Sequence, residues 1–107
     1  MSDKTLNLTN ENFEKTISNG VTLVDFWDPW CAPCRMQAPH LEEAAGTLAG
    51  RAQVGKLNVD ENPSLAQRFG VSGIPSLLVF KDGKEVKRFV GLSDAATLVQ
   101  TVEKQLQ

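Results

Sequence analysis

Two cysteines three positions apart, Cys31 and Cys34, follow directly after an apolar stretch and limit the folds open to this chain. The stretch runs from Val21 to Trp27 and is mostly apolar on both faces, which is typical of a central strand covered by helices on each side. Asp28 and Pro29 break that strand. The sequence therefore predicts a strand, a sharp turn and then a helix that begins at Cys31.

The predicted position of Cys31 at the start of a helix has a chemical consequence. The first backbone N–H groups of a helix have no partner inside it, and the positive end of the helix dipole favours a thiolate over a thiol. The thiolate is the nucleophilic form of cysteine. Cys34 lies one turn further along a similar face, so it is more enclosed and is placed to resolve a mixed disulfide.

Two other uses of the cysteine pair are disfavoured. A structural zinc site needs four Cys or His ligands, and this chain has only three candidates. The third, His40, follows Cys31 by nine residues, so at roughly 100° per residue it points to about the opposite side of the helix. A purely structural disulfide would contribute only about 2 kcal/mol, because the loop that it closes is so short. We therefore expect a redox pair and no metal.

Length and composition are typical of one globular domain. The 107 residues are 41% hydrophobic and 22% charged, so we expect a single domain over residues 1–107. The net charge of −2 and the pI near 5.3 offer no basic surface for nucleic acid.

The amino-terminal segment, Met1 to Thr5, lacks the architecture of a signal peptide, and the apolar runs are too short to span a bilayer. We therefore expect a cytoplasmic protein without a membrane association. In a reducing compartment, a closely spaced cysteine pair is more often catalytic or metal-binding than structural.

Strand-like and helix-like segments alternate along the chain, which indicates an α/β fold. The predicted strands are Leu6–Leu8, Val21–Trp27, Ala52–Val59, Ser76–Lys81 and Val86–Val90, and the predicted helices are Asn10–Ser18, Cys31–Ala49, Ser64–Phe69 and a last one after Ser93. The alternation implies parallel pairing at first, whereas Asp82-Gly83 predicts an antiparallel hairpin between the final two strands. The result is a mixed sheet with helices on both faces.

Local signals predict how the helices begin and bend. Thr9 is expected to cap the first helix, and Ser93 is expected to cap the last one while Asp94 complements its dipole. Pro39 falls inside the long second helix and should kink it.

The chain closely resembles the thioredoxin family along nearly its whole length. A lone Cys-x-x-Cys pair would be weak evidence, but several longer segments match together. They are Val24–Trp27, Trp30–Met36, Pro39, Lys56–Pro63, Gly73–Ser76 and Phe80–Gly83. The resemblance implies the thioredoxin fold, with a central mixed sheet of five strands and a cis Pro75 that faces the cysteines.

The resemblance also implies an activity and partners. It implies a monomeric, general protein-disulfide reductase that binds no cofactor and works through a redox-active disulfide between Cys31 and Cys34. Its substrates would be disulfide-containing proteins. A flavoprotein, thioredoxin reductase, would recharge it with electrons expected to come from NADPH, although the residues leave open another donor such as ferredoxin.

Asp25 admits two interpretations, because a charged group in an apolar central strand is costly unless it is paired or neutralised. One is a structural polar network. The other is a carboxyl with a raised pKa that exchanges a proton with Cys34, which must become a thiolate to attack. The resemblance favours the second interpretation and makes Lys56 the charged neighbour of Asp25.

Other site residues are carried over from the family. The active-site turn comprises Trp30, Ala32 and Pro33, with Trp30 partly exposed beside the sulfur. An apolar rim around Cys31, able to bind an extended peptide by strand-like hydrogen bonds, would comprise Trp30, Gly73, Ile74, Pro75, Val90, Gly91 and Leu92.

Two departures from the family pattern affect the active-site turn. Ala32 stands where most thioredoxins have Gly, which adds one methyl and favours helix, so the reduction potential is expected to shift only modestly. Asp28-Pro29 adds a negative charge that could oppose thiolate formation at Cys31. A second class of function, an interaction module of the same fold with incidental redox activity, stays open at this point.

Overall fold

The structure, a computed structural model, describes residues 4–107 as a five-stranded sheet with four helices. The strands are β1 (Thr5–Leu8), β2 (Val21–Trp27), β3 (Gln53–Asn58), β4 (Ser76–Lys81) and β5 (Lys84–Val90), and the helices are α1 (Phe13–Ile17), α2 (Ala32–Leu48), α3 (Pro63–Arg68) and α4 (Ala95–Gln105). Residues 1–3, part of the segment compared with a signal peptide, lie outside the described residues. Within the described part of the chain, no helix is long and apolar enough to cross a membrane.

The sheet has the order β1-β3-β2-β4-β5. β3 pairs in parallel with both β1 and β2, whereas β4 is antiparallel to β2 and to β5. The mixed sheet predicted from the alternation of elements is therefore confirmed.

The sheet buries apolar side chains on both faces. Six of the seven residues of β2 are buried, and successive side chains of a strand point to opposite faces. Between the sheet and helices α2 and α4, one buried cluster includes Leu23, Leu41, Leu48, Leu77 and Leu98. On the side of α1 and α3, a second cluster includes Leu8, Phe13, Val24, Phe26, Leu57 and Phe80. These two clusters hold β2 at the centre of the molecule.

The turn between β4 and β5 is the predicted hairpin. Asp82 has φ 50° and Gly83 has φ 89°, and positive φ at both central residues is what a type I′ turn requires. The Asp82 side chain also accepts a hydrogen bond of 2.8 Å from the backbone N–H of Gly20. The hairpin turn is therefore also tied to the loop that precedes β2.

The first helix begins three residues later than predicted, and Thr9 is not its N-cap. Asn12 occupies the N-cap position without a side-chain capping bond. Its Oδ1 instead accepts from the backbone N–H of Thr9 at 2.7 Å, and its Nδ2 donates to the carbonyl of Asn7. These bonds hold residues 10–12 as a turn, because an Asn side chain can compete with helical hydrogen bonds.

The other helices differ from their predicted bounds by small amounts. Cys31 is the N-cap of α2 rather than its first residue, and α2 continues through Pro39. The expectation that Ser93 caps α4 is wrong. Asp94 is the N-cap, and its carboxylate accepts from the backbone N–H of Thr97 at 2.9 Å. A carboxylate there also complements the helix dipole, which explains the preference.

Candidate active site

The turn between β2 and α2 places the cysteines at one end of the sheet. The Asp28 carboxylate accepts a hydrogen bond of 2.8 Å from the backbone N–H of Trp30, which holds the turn closed. Ala32 and Pro33 form the start of α2, where the missing N–H of a proline costs nothing. Cys31 itself has extended backbone dihedrals, φ −97° and ψ 110°, as expected for an N-cap residue.

Cys31 and Cys34 form a disulfide with their Cα atoms 5.2 Å apart. The backbone N–H of Cys34 donates to the Sγ of Cys31 at 3.2 Å, so the helix N-terminus interacts directly with that sulfur. Cys34 is only 3% exposed, whereas Cys31 is half-buried. An incoming substrate can therefore reach Cys31 more readily than Cys34.

The segment that precedes β4 lies against the disulfide. The peptide bond between Ile74 and Pro75 is cis, as the family resemblance implied. The carbonyl oxygen of Ile74 lies 3.7 Å from the Sγ of Cys31. A reduced Cys31 thiol at this distance could donate a hydrogen bond to that carbonyl.

Exposed apolar residues lie in the segments that flank the disulfide. Trp30 is 84% exposed, Val90 is 69% exposed and Leu92 is 48% exposed. The backbone N–H of Gly91 donates to the carbonyl of Pro75 at 2.8 Å, which ties the loop after β5 to the segment before β4. Exposed apolar groups of this kind are typical of binding surfaces.

Gly73 lies close to Val90 across this surface. A Cβ atom at Gly73 would lie 3.3 Å from the Cγ1 of Val90, so a larger residue would crowd the surface. The structure thus brings together the two segments assigned to the rim, residues 73–75 and residues 90–92.

Asp25 lies on β2 and is 2% exposed. Burial raises the pKa of its carboxyl from an ordinary value of 3.8 to about 7, although the positive charge of Lys56 acts in the opposite direction. Lys56 is the partner of Asp25 in the register of β2 with β3, and its Nζ lies 5.3 Å from the centre of the Trp27 ring. The predicted neighbourhood of Asp25 and Lys56 is present in the structure.

A cavity of about 100 Å³ connects Asp25 with Cys34. Its lining comprises Asp25, Trp27, Cys34, Arg35, Ala38, Leu41, Glu42 and Lys56. Within residues 4–107, the Oδ1 of Asp25 and the Nε1 of Trp27 are buried without a hydrogen-bond partner. The cavity has room for ordered water that would satisfy such groups. Trp27, the last residue of β2, is half-buried at this site.

Two side chains of α2 near the turn, Arg35 and His40, lie outside the redox pair and make other interactions. Arg35 donates to the carbonyl of Pro29 at 3.1 Å, which supports the turn. His40 lies near Asp94, whose pKa is lowered first by the hydrogen bond from Thr97 and also by the charge of His40. Among the described residues, no group of three or more His, Cys, Asp or Glu side chains is arranged to hold a metal ion.

Sequence reasoning missed Gln37, which is fully buried in α2. Its Nε2 donates to the carbonyl of Ser93 at 2.7 Å, and its Oε1 accepts from the backbone N–H of Ser93 at 2.8 Å. The signal was available, because Gln37 falls on the same helical stripe as the buried Leu41 and Ala44. A glutamine in such a stripe needs a partner.

Comparisons with known proteins agree with this geometry. The thioredoxin family model matches residues 4–104. The thioredoxin of Staphylococcus saprophyticus is 52% identical over 99 residues, covering 92% of this chain and 95% of that relative. The thioredoxin of Staphylococcus haemolyticus is 50% identical with the same coverage. A mutant thioredoxin from Halobacterium salinarum superposes with a TM-score of 0.88 at 36% identity, over 100% of this chain and 96% of that one.

A cysteine pair at a helix N-terminus, on a five-stranded mixed sheet, defines a thiol-disulfide oxidoreductase that uses a reversible dithiol-disulfide couple. The chain belongs to the thioredoxin family. Proteins of this family act on disulfide substrates and are themselves reduced by thioredoxin reductase.

Proposed function

We propose that Cys31 attacks disulfides in protein substrates and that Cys34 then resolves the mixed disulfide. The observation that carries this order is the contrast between the two sulfurs. The Cys31 Sγ accepts the Cys34 N–H at the helix N-terminus, whereas Cys34 is 3% exposed. A hydrogen bond to the charged form lowers the pKa of a thiol, so Cys31 is the better thiolate and the more accessible one.

Each step of this exchange balances. The Cys31 thiolate displaces one sulfur of the substrate disulfide, which leaves as a thiolate, and a mixed disulfide forms. The Cys34 thiolate then attacks the Sγ of Cys31 and displaces the second substrate thiolate. Two electrons have then passed from the dithiol to the substrate, so the protein holds the Cys31–Cys34 disulfide and the substrate is reduced. The second attack is intramolecular, so it outruns any external thiol.

Asp25 is proposed as the proton acceptor for Cys34. Cys34 must lose its proton to attack, and both residues line one cavity with room for water that would carry the proton between them. A carboxyl with a pKa of about 7 is well matched to proton transfer near neutral pH. The role of Lys56 would be to keep that pKa from rising further.

The rim is proposed as the binding surface for an extended segment of the substrate. Trp30, Val90 and Leu92 present exposed apolar side chains. The segment 73–75 lies beside Cys31 through the Ile74 carbonyl, with Gly73 and Ile74 half-buried and Pro75 buried. The extended backbone of a substrate could add to these segments by strand-like hydrogen bonds, which would accept many sequences. Broad substrate use is expected to follow.

The partners of this protein are proposed by its family membership. We expect a flavoprotein thioredoxin reductase that uses NADPH to reduce the Cys31–Cys34 disulfide. A cytoplasmic location fits a cysteine pair that must return to the dithiol form. A monomer is expected, and one sheet that takes strands from both halves of the chain supports a single domain.

The order of attack can be tested with two single substitutions. Cys34→Ser should accumulate a covalent complex with a protein disulfide substrate such as insulin, because the mixed disulfide cannot be resolved. Cys31→Ser is the matched control and should form no complex and show no turnover. The adducts can be measured by intact-protein mass spectrometry and mapped by peptide digestion. An adduct of Cys31→Ser at Cys34, with none of Cys34→Ser at Cys31, would reverse the assignment.

A further inference from the structure

Gln37 joins the helix that carries the active-site turn to the loop that carries part of the rim. The side-chain amide makes two hydrogen bonds to one residue, Ser93, at 2.7 and 2.8 Å. Ser93 follows Gly91 and Leu92 directly in the loop between β5 and α4. Gln37 and Ser93 are 56 positions apart in the sequence, so this contact is purely tertiary.

The loop is therefore held at both ends. At one end, the backbone N–H of Gly91 donates to the carbonyl of Pro75. At the other end, Ser93 is fixed to Gln37, and the Asp94 carboxylate caps α4 immediately afterwards. Leu92 lies between the two attachments with 48% of its surface exposed. Both attachments lead to segments that contact the disulfide.

The polarity of Gln37 needs an explanation beyond packing. The residue is fully buried on the apolar stripe of α2, where an aliphatic side chain would fill the space without a polar group to satisfy. A buried polar group is tolerated when its hydrogen bonds are made, and such bonds fix a single arrangement. What a glutamine adds here is the attachment of the loop.

We propose that Gln37 is a positioning residue for substrate binding: it fixes the β5–α4 loop on α2, so that the rim is preformed for the extended segment of a protein substrate. This inference rests on the proposed function of the rim. A loop that is ordered before binding does not have to be ordered by the substrate, which improves affinity. Gln37 itself touches no reacting atom.

The principal test is Gln37→Met, which keeps the length of the side chain and removes both hydrogen bonds. In steady-state reduction of insulin, with thioredoxin reductase and NADPH in excess, KM should rise about fivefold to tenfold, part of the worth of two hydrogen bonds. The value of kcat should stay within about twofold. Reduction of hydroxyethyl disulfide, which is too small to span the rim, should stay within the same limit, as should the equilibrium with a glutathione buffer.

A second variant tests the hydrogen bonds themselves. A protonated carboxyl introduced by Gln37→Glu can donate and accept as the amide does, whereas the carboxylate can only accept. The ratio of its KM to that of the unsubstituted protein should therefore be near one at low pH and rise with pH. Burial is expected to move the pKa of this carboxyl upward. Taking the ratio at each pH cancels effects common to both proteins, including those of His40 and Asp94, the charged groups beside the same loop.

Amide hydrogen exchange separates this inference from the proposed role of the rim. Gln37→Met should speed exchange at Gly91 and Leu92, whereas Leu48→Ala, a destabilising change at the far end of α2, should not do so selectively. Faster exchange with an unchanged KM would mean that the rim does not bind insulin, which overturns the proposed rim and this inference with it. Unchanged exchange would overturn the positioning role alone. A KM ratio for Gln37→Glu that stays near one at a pH where NMR shows the introduced carboxyl to be ionised would also overturn it.

Discussion

Asp25 is the residue at which stability and chemistry conflict most directly. It is buried at the centre of the sheet, where its Oδ1 has no hydrogen-bond partner among residues 4–107. Its pKa of about 7 means that the folded protein holds this proton more tightly than the unfolded chain between pH 3.8 and about 7. Stability is therefore lost as the pH rises through that range, and the full penalty applies above it.

Asp25→Asn should raise the free energy of unfolding above pH 7. The change in pKa from 3.8 to about 7 corresponds to roughly 4 kcal/mol at most. Because an amide still buries a polar group, we expect a gain of about 1–3 kcal/mol at pH 8 and little difference below pH 4. Urea denaturation across this pH range measures the effect. Asp60→Asn is the control, because it removes the same charge from an exposed side chain. Its effect on the free energy of unfolding should lack this pH dependence.

The same Asp25→Asn protein should resolve mixed disulfides about 10- to 100-fold more slowly near pH 7 and recover at higher pH, where Cys34 ionises unaided. The first attack by Cys31 should change less. Single-turnover kinetics with a stable mixed disulfide separate the two steps. A variant that is less stable and yet resolves at the native rate would refute the proposed proton transfer.

At the scale of the elements, strands were easier to predict than helix ends. β2 and β4 have the predicted bounds, because turn residues on both sides of a continuous apolar run mark where the strand begins and ends. The predicted start of α1 was three residues too early, because the Asn12 side chain bonds back to Thr9 and Asn7 and residues 10–12 form a turn. The attachment of Gln37 to Ser93 depends on tertiary packing that no local pattern contains.

The cap of α4 gives an element-scale prediction. Asp94→Ala removes the acceptor for the Thr97 N–H and a negative charge at the helix N-terminus, so the midpoint of thermal unfolding should fall by a few degrees. Ser93→Ala should leave the midpoint nearly unchanged, because the structure gives capping to Asp94 and holds Ser93 by its backbone. Calorimetry of both variants at neutral pH makes the comparison. The opposite ranking would restore Ser93 as the cap.

At the scale of the whole molecule, the antiparallel pairing of β4 brings the site together. The register places Phe26 opposite Ser76, and Ser76 opposite Val90. The end of β2, the start of β4 and the end of β5 therefore meet at one end of the sheet, although they are far apart in sequence. The family resemblance implied this meeting, whereas the alternation of elements alone did not predict that β4 lies beside β2.

The redox state should change the stability of the whole fold. Closing the ring from Cys31 to Cys34 restricts the unfolded chain, and for so short a loop the chain-entropy account gives about 2 kcal/mol. We therefore expect the free energy of unfolding of the oxidised protein to exceed that of the reduced protein by about 2 kcal/mol. At pH 6, below the pKa of about 7 of Asp25, this carboxyl is mostly protonated in the folded state. Charge repulsion between Asp25 and the reduced Cys34 therefore adds little to the difference in stability.

Urea denaturation at pH 6, with and without a phosphine reductant, measures this difference directly. Cys34→Ser, which cannot close the ring, is the control and should unfold at the same urea concentration in both conditions. The expectation is contradicted if the reduced protein has an equal or greater free energy of unfolding. The folded state would then favour the dithiol by at least as much free energy as ring closure costs the unfolded chain. By the same thermodynamic cycle, if the reduced protein has the greater free energy of unfolding, the folded protein is easier to reduce than its unfolded chain.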